Sequence, residues 1–167
     1  VTLKEIIKSG KVDEEIATSA LLKWASVPEY FERFAGPTTR ARVLELKGEK
    51  KAGEEFVPVN DNNKATNGAA MKAAPIALLA KGDIDDAIDK AITVCRITHD
   101  NNIALSGAAA IAAATAAAVK EDADLFDVVR ASIYGASKGD EIGRRIGHTL
   151  AGASVETRIR WAVSIAM

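Results

Sequence analysis

Two short stretches hold the side chains best suited to chemistry. The first is Lys64-Ala65-Thr66-Asn67-Gly68-Ala69-Ala70-Met71-Lys72-Ala73-Ala74-Pro75. Thr66-Asn67-Gly68 lets the backbone turn tightly, because Asn and Gly tolerate positive φ and Gly admits a close neighbour. The alanines and Met71 that follow are good helix formers. A glycine-bearing turn feeding a helix leaves the first backbone N–H groups unpaired, and the helix dipole adds positive charge there. Such a place suits an anion such as phosphate. A plainer reading is that Asn67-Gly68 is only a turn and a helix start. The second stretch is Thr98-His99-Asp100-Asn101-Asn102. His99 is one of two histidines and sits among hydrogen-bonding neighbours, where it could bind a phosphate or a sugar hydroxyl. Taken alone, a solvent-exposed or capping histidine explains it more simply.

The other candidates offer less. Asp83, Asp85, Asp86 and Asp89 read as the cap and solvated face of an amphipathic helix. Cys95 falls on the apolar face of that helix, which fits a buried structural thiol rather than a nucleophile. His148 follows Gly147 without partners of its own in sequence. The sequence contains no Walker-type phosphate loop, no dinucleotide glycine fingerprint after a strand, no H-E-x-x-H, no EF-hand loop and no G-x-S-x-G. No catalytic residue and no metal ligand is assigned from these patterns.

Elements that would position both stretches follow from helical spacing. Leu3, Ile6 and Ile7 share a face of a helix over 1–8 that opens without a cap and stops at Gly10. Asp13 caps a helix carrying Ile16, Ala20, Leu21 and Trp24. Pro28 ends it or opens a short helix through Phe34. Thr38 or Thr39 is expected to cap a basic helix ending at Gly48, and 49–63 reads as an exposed loop. Further helices are expected over 69–79, over 84–97 with Asp83 as cap, and over 103–119 behind Asp100 or Asn101. The alanine-rich 103–119 helix carries so little side chain that it should pack on several neighbours at the centre. The helix from Leu125 either continues past Gly135 or breaks at Lys138-Gly139-Asp140, and Ser154 caps a last one. No stretch sustains strand alternation. The expected fold is all-α, a compact globular multi-helix bundle.

Composition narrows the function classes. The 167 residues suit one domain, 1–167, with a sizeable core, and 48% hydrophobic with 27% charged residues is a globular balance. A net charge of -1 with no basic block argues against nucleic acid and against a polybasic membrane contact. The apolar run over 103–119 is too short and too alanine-rich for a confident span. A single cysteine excludes an internal disulfide, and a cytoplasmic setting is expected.

The segment Thr66 to Leu78, followed by Ile97-Thr98-His99-Asp100, resembles the ADP-ribosylglycohydrolase family, whose members remove ADP-ribose from modified proteins. Gly36-Pro37-Thr38-Thr39-Arg40 and Gly152-Ala153-Ser154-Val155 with Arg158-Ile159 resemble its connecting segments. The likeness runs through nearly the whole chain in order. It implies an all-α fold and a site for ADP-ribose or an ADP-ribosylated protein. In that correspondence Asn67 and Gly68, with Thr66 and Ala69, lie along the diphosphate and adjoining ribose, and His99 hydrogen-bonds the ligand. Met71 packs beneath the loop. Lys72 stands where the family usually has Arg, keeping charge without the planar fork.

The family's Mg2+ ions are held by a Thr-Asp-Asp segment and an Asp-x-Asp-Thr segment, and neither occurs here. Asp85-Asp86 lacks the preceding Thr, so the role is not carried over to it. Family resemblance thus implies metal-assisted hydrolysis at the anomeric carbon, with this chain read as the central part of a longer parent domain and inactive alone. The alternatives are a non-catalytic helical module that binds ADP-ribose or another nucleotide, and a bundle that serves only as an interaction surface.

Overall fold

Alanine determines how this chain packs. In the computed structural model, which describes residues 1–49 and 65–166, the helix Asn102–Ala118 lies against four others. In chain order the helices are α1 Thr2–Ser9, α2 Glu14–Ala25, α3 Pro28–Phe34, α4 Pro37–Leu46, α5 Ala70–Ala77, α6 Ile84–Cys95, α7 Asn102–Ala118, α8 Leu125–Ile146 and α9 Val155–Ala166. A 3-10 turn, Leu78–Ala80, follows α5. The described residues form no strand, and Asn101 and His148 make an isolated parallel bridge. The all-α reading therefore holds. None of the helices described is long and apolar enough to cross a membrane.

Caps explain most helix starts. Asp13 accepts from the Ile16 N–H, Asp83 from Asp86, Asn101 from Ala104 and Ser154 from Thr157. Each satisfies an N–H that the helix itself leaves unpaired. α4 departs from expectation. Gly36 is its N-cap, no side chain caps it, and Thr38 and Thr39 lie inside its first turn. Pro37 decides this, since its fixed φ and missing N–H suit the first helical position. α5 is shorter than the expected 69–79. Pro75 removes a donor inside it and crowds the preceding turn, and the chain tightens into the 3-10 turn three residues later. The loop expected over 49–63 lies, beyond Glu49, outside the described residues.

α7 contacts α5, α6, α8 and α9, as its small side chains require. Ala108, Ala109, Ala112, Ala113 and Ala116 are completely buried in the main core, together with Leu105 from α7 and Ile88 and Cys95 from α6. A second core joins Ile6, Ala17, Ile76, Val94 and Ile97, with Leu3, Leu21 and Leu46 packed against it. α5 bridges the two, with Ala73 and Ala77 in the first and Ile76 in the second. That bridging fixes α5, and with it the turn before it.

α8 runs unbroken from Leu125 to Ile146 through Gly135 and Gly139, so the break considered in the sequence does not occur. Gly135, Gly139 and Gly143 recur every fourth residue and so lie along one face. A Cβ at Gly139 would stand 2.5 Å from Ala109 Cβ and 2.8 Å from the Leu105 carbonyl oxygen, and one at Gly143 2.6 Å from Asn102 Cα. The two helices approach so closely that only hydrogen fits between them. Ser106 Oγ crosses the seam to donate to the Ala136 carbonyl at 2.7 Å.

Gly139→Ala should therefore destabilise the fold by about 1–3 kcal/mol through overpacking. Gly107, on α7, has only Ala70 Cβ at 4.0 Å from the position a Cβ would take. Gly107→Ala should stabilise by about 0.5–1 kcal/mol, the helix-interior cost of glycine. Urea midpoints of the two variants measure this; equal shifts in the same direction would contradict the seam.

Candidate functional site

His99 is not a surface histidine. It is 2% exposed, beside Thr98 at 7%, and Asn101 and Asn102 are buried with them, while Asp100 is half-buried. The chain corner between α6 and α7 is pinned from several sides. The Thr98 and His99 N–H groups donate to the Cys95 carbonyl, and the Asn101 N–H donates to the His99 carbonyl. Asn102 donates to Asp140 Oδ1 on α8 at 2.8 Å and accepts from the Leu150 N–H at 2.7 Å. Arg42 Nε on α4 donates to the Ile97 carbonyl at 2.8 Å. His148 contributes backbone only: its carbonyl accepts from the Asn102 N–H, its own N–H donates to the Asp100 carbonyl, and its side chain is exposed.

Against this corner sits the turn that opens α5. The Asn67 carbonyl accepts from the Met71 N–H and the Ala69 carbonyl from the Lys72 N–H, each at 3.0 Å. The Cys95 thiol donates to the Ala69 carbonyl at 3.2 Å and ties the turn to α6. Burial pushes that thiol up to about 11, so the proton it donates is firmly held. Gly68 lies directly on His99. A Cβ there would come within 2.7 Å of His99 Nε2 and 2.8 Å of Cε1. Glycine is needed here for close approach.

Four polar side chains join end to end at this contact. Lys72 Nζ donates to Thr98 Oγ1 at 2.5 Å, Thr98 Oγ1 lies 2.7 Å from His99 Nδ1, and His99 Nε2 lies 2.9 Å from Thr66 Oγ1. Desolvation, with the Lys72 charge adding to it, pushes the His99 pKa down to about 4. Burial also lowers the Lys72 pKa.

A cavity of about 510 Å³ opens at this place. Thr66, Asn67, Gly68, Lys72 and His99 line its polar side, and Leu21, Trp24 and Phe34 its apolar side. Four of the five expected site residues, Thr66, Asn67, Gly68 and His99, thus share one cavity. The fifth, Ala69, is fully buried below the turn and does not line it. Met71 does not pack beneath the loop: it is 74% exposed at the cavity rim, because the buried side of α5 is taken by Ala73, Ile76 and Ala77. Sequence reasoning missed Trp24, Phe34 and Thr98 as site-forming residues. The Thr98-His99 adjacency was the available signal for Thr98; nothing local marks the two aromatics. Another open cavity, of about 560 Å³, lies beside Asp127, Arg130 and Tyr134. Within it Arg130 donates to Asp127 at 2.6 Å and Tyr134 donates to Asp85 at 2.7 Å.

The His99 shift has a consequence for stability. The unfolded imidazole takes a proton near pH 6.5, the folded one only near 4. Between these values the unfolded chain binds more protons, so stability falls as the pH drops through that window. Removing the titration with His99→Gln should abolish up to about 3 kcal/mol of this loss. Urea unfolding of both proteins at pH 7 and pH 4.5 checks it, and identical pH dependence in the two would contradict a buried neutral His99.

Comparison with known proteins agrees with this arrangement of elements. The family model described as ADP-ribosylglycohydrolase matches residues 1–166. A curated protein of Escherichia coli (strain K12), described as "Uncharacterized protein YegU", is 31% identical over 94 residues. That match takes in 55% of this chain and 27% of the relative, so the matched part is about a quarter of the relative's length. No solved structure matches the chain. With a match running from the first residue to the last but one, the chain belongs to the ADP-ribosylglycohydrolase family.

Proposed function

We propose that this chain holds the ADP-ribosyl group of a substrate for a hydrolase that releases ADP-ribose from modified protein or a related compound. The observation that carries the reading is the contact of Gly68 with His99 at the mouth of a two-sided cavity. Among the described residues no hydrogen bond engages the Gly68, Ala69 or Ala70 N–H, and these lie at the N-terminal end of α5, where a diphosphate gains from free donors and from the helix dipole. Thr66, Asn67 and His99 add side-chain hydrogen-bonding groups, and Ala69, fully buried, supports the turn from below. Trp24 and Phe34 offer aromatic surface to the adenine end of such a ligand.

Mg2+ belongs to this reading through the family, but the residues present do not fit it. Among the described residues no three His, Cys, Asp or Glu side chains stand close enough to hold a metal, and no carboxylate lines the cavity. We therefore assign binding and orientation to these 167 residues and place the hydrolytic metal donors in other polypeptide, with this chain as the central part of a longer domain in the cytoplasm. With no carboxylate among the described residues that line the cavity, one second reading is favoured, a module that binds ADP-ribose without cleaving it.

Calorimetric titration with ADP-ribose tests the proposal. Binding should occur with or without Mg2+, and the chain alone should release no ADP-ribose from a modified protein. Asn67→Ala and His99→Ala should each weaken binding roughly tenfold, the value of one hydrogen bond to a charged group, while the far-ultraviolet circular dichroism stays native. Absence of binding by the unaltered chain, or affinity in both variants equal to that of the unaltered chain, would remove these residues from the site.

A further inference from the structure

We infer that Lys72 and Thr98 are positioning residues that lock His99 as the neutral Nε2–H tautomer, so that the chain Lys72, Thr98, His99, Thr66 points every donor toward the cavity. The inference rests on the binding reading above and deepens it by naming what selects the ligand's oxygen. It follows from counting protons. The Lys72 ammonium can only donate, and it donates to Thr98 Oγ1 at 2.5 Å. The single Thr98 hydroxyl proton must then leave in another direction. Two acceptors are in range: His99 Nδ1 at 2.7 Å and the Cys95 carbonyl at 3.5 Å. The carbonyl is at the limit of hydrogen bonding and already accepts from two N–H groups, so the proton goes to Nδ1.

An imidazole that accepts at Nδ1 carries its own proton on Nε2. Nε2 then donates to Thr66 Oγ1 at 2.9 Å, and the Thr66 hydroxyl, exposed on the cavity wall, turns its proton outward. Each donation polarises the next. The relay ends in a donor, the Thr66 hydroxyl or the imidazole N–H, presented to the cavity. It therefore favours an anionic oxygen, such as that of a phosphodiester or diphosphate, over a neutral sugar hydroxyl, because the hydrogen bond to a charged acceptor is the stronger. Burial keeps His99 neutral, so the relay carries direction without placing a second charge beside Lys72.

The ring nitrogens report this directly. In the unliganded 167-residue chain at neutral pH, two-bond 1H–15N correlation of the His99 ring should show Nε2 protonated and Nδ1 bare. Thr98→Val removes the hydroxyl and should shift His99 toward a mixed or Nδ1–H population; Thr98→Ser should restore the original pattern. Should Thr98→Val not fold, Lys72→Met serves, because it frees Thr98 to accept from Nδ1–H, and Lys72→Arg should rescue. Pyrophosphate and ADP-ribose affinities should fall by about fivefold or more in Thr98→Val and Lys72→Met and recover in the Ser and Arg variants. An Nδ1–H tautomer in the unaltered protein, or an unchanged pattern in the Val and Met variants, overturns the relay. Failure of the unaltered chain to bind ADP-ribose while the tautomer pattern holds overturns the binding reading alone.

Discussion

The site depends on a single missing side chain. Gly68 rests on the edge of the His99 ring, where even one carbon would be 2.7 Å from Nε2. That contact brings a helix-opening turn and a polar corner, 31 residues apart in number (68 and 99), into one cavity wall. It is held from behind by the Cys95 thiol on the Ala69 carbonyl and from the side by Lys72 on Thr98. Both supports come from residues that look ordinary in sequence.

Protonation states support the same geometry. Burial raises the Cys95 thiol, which keeps the proton it donates to Ala69. Burial lowers His99, and the nearby Lys72 charge lowers it further, so the imidazole stays neutral at ordinary pH. Lys72 bears the cost of partial desolvation, offset by its charge-assisted hydrogen bond to Thr98. Apolar packing around α5 and α6 thus sets the charge state of each group near the turn. The main core supplies that packing, and the glycine seam between α7 and α8 closes it.

Much of this was legible in the residues. Helix spacing and caps placed most of the helices, because Asp13, Asp83, Asn101 and Ser154 act on N–H groups only a few positions away. The central position of α7 followed from its alanines. The Asn67-Gly68 turn and His99 were singled out together. What escaped required three dimensions. The burial of Thr98, His99, Asn101 and Asn102 depends on Asp140, Leu150 and Arg42, which lie far along the chain. Pro37 overrode the threonines beside it as the helix start. Met71 faces outward because Ala73, Ile76 and Ala77 already fill the buried side of α5. Trp24 and Phe34 reach the cavity only because α2 and α3 fold back across it.

Backbone amide shifts on titration with ADP-ribose give the most direct measurement of whether the turn and the buried histidine act as one ligand surface. The largest changes should fall on Gly68, Ala69, Ala70 and the His99 ring, with Trp24 following. Changes concentrated instead on Asp127, Arg130 and Tyr134, at the other cavity, would contradict it.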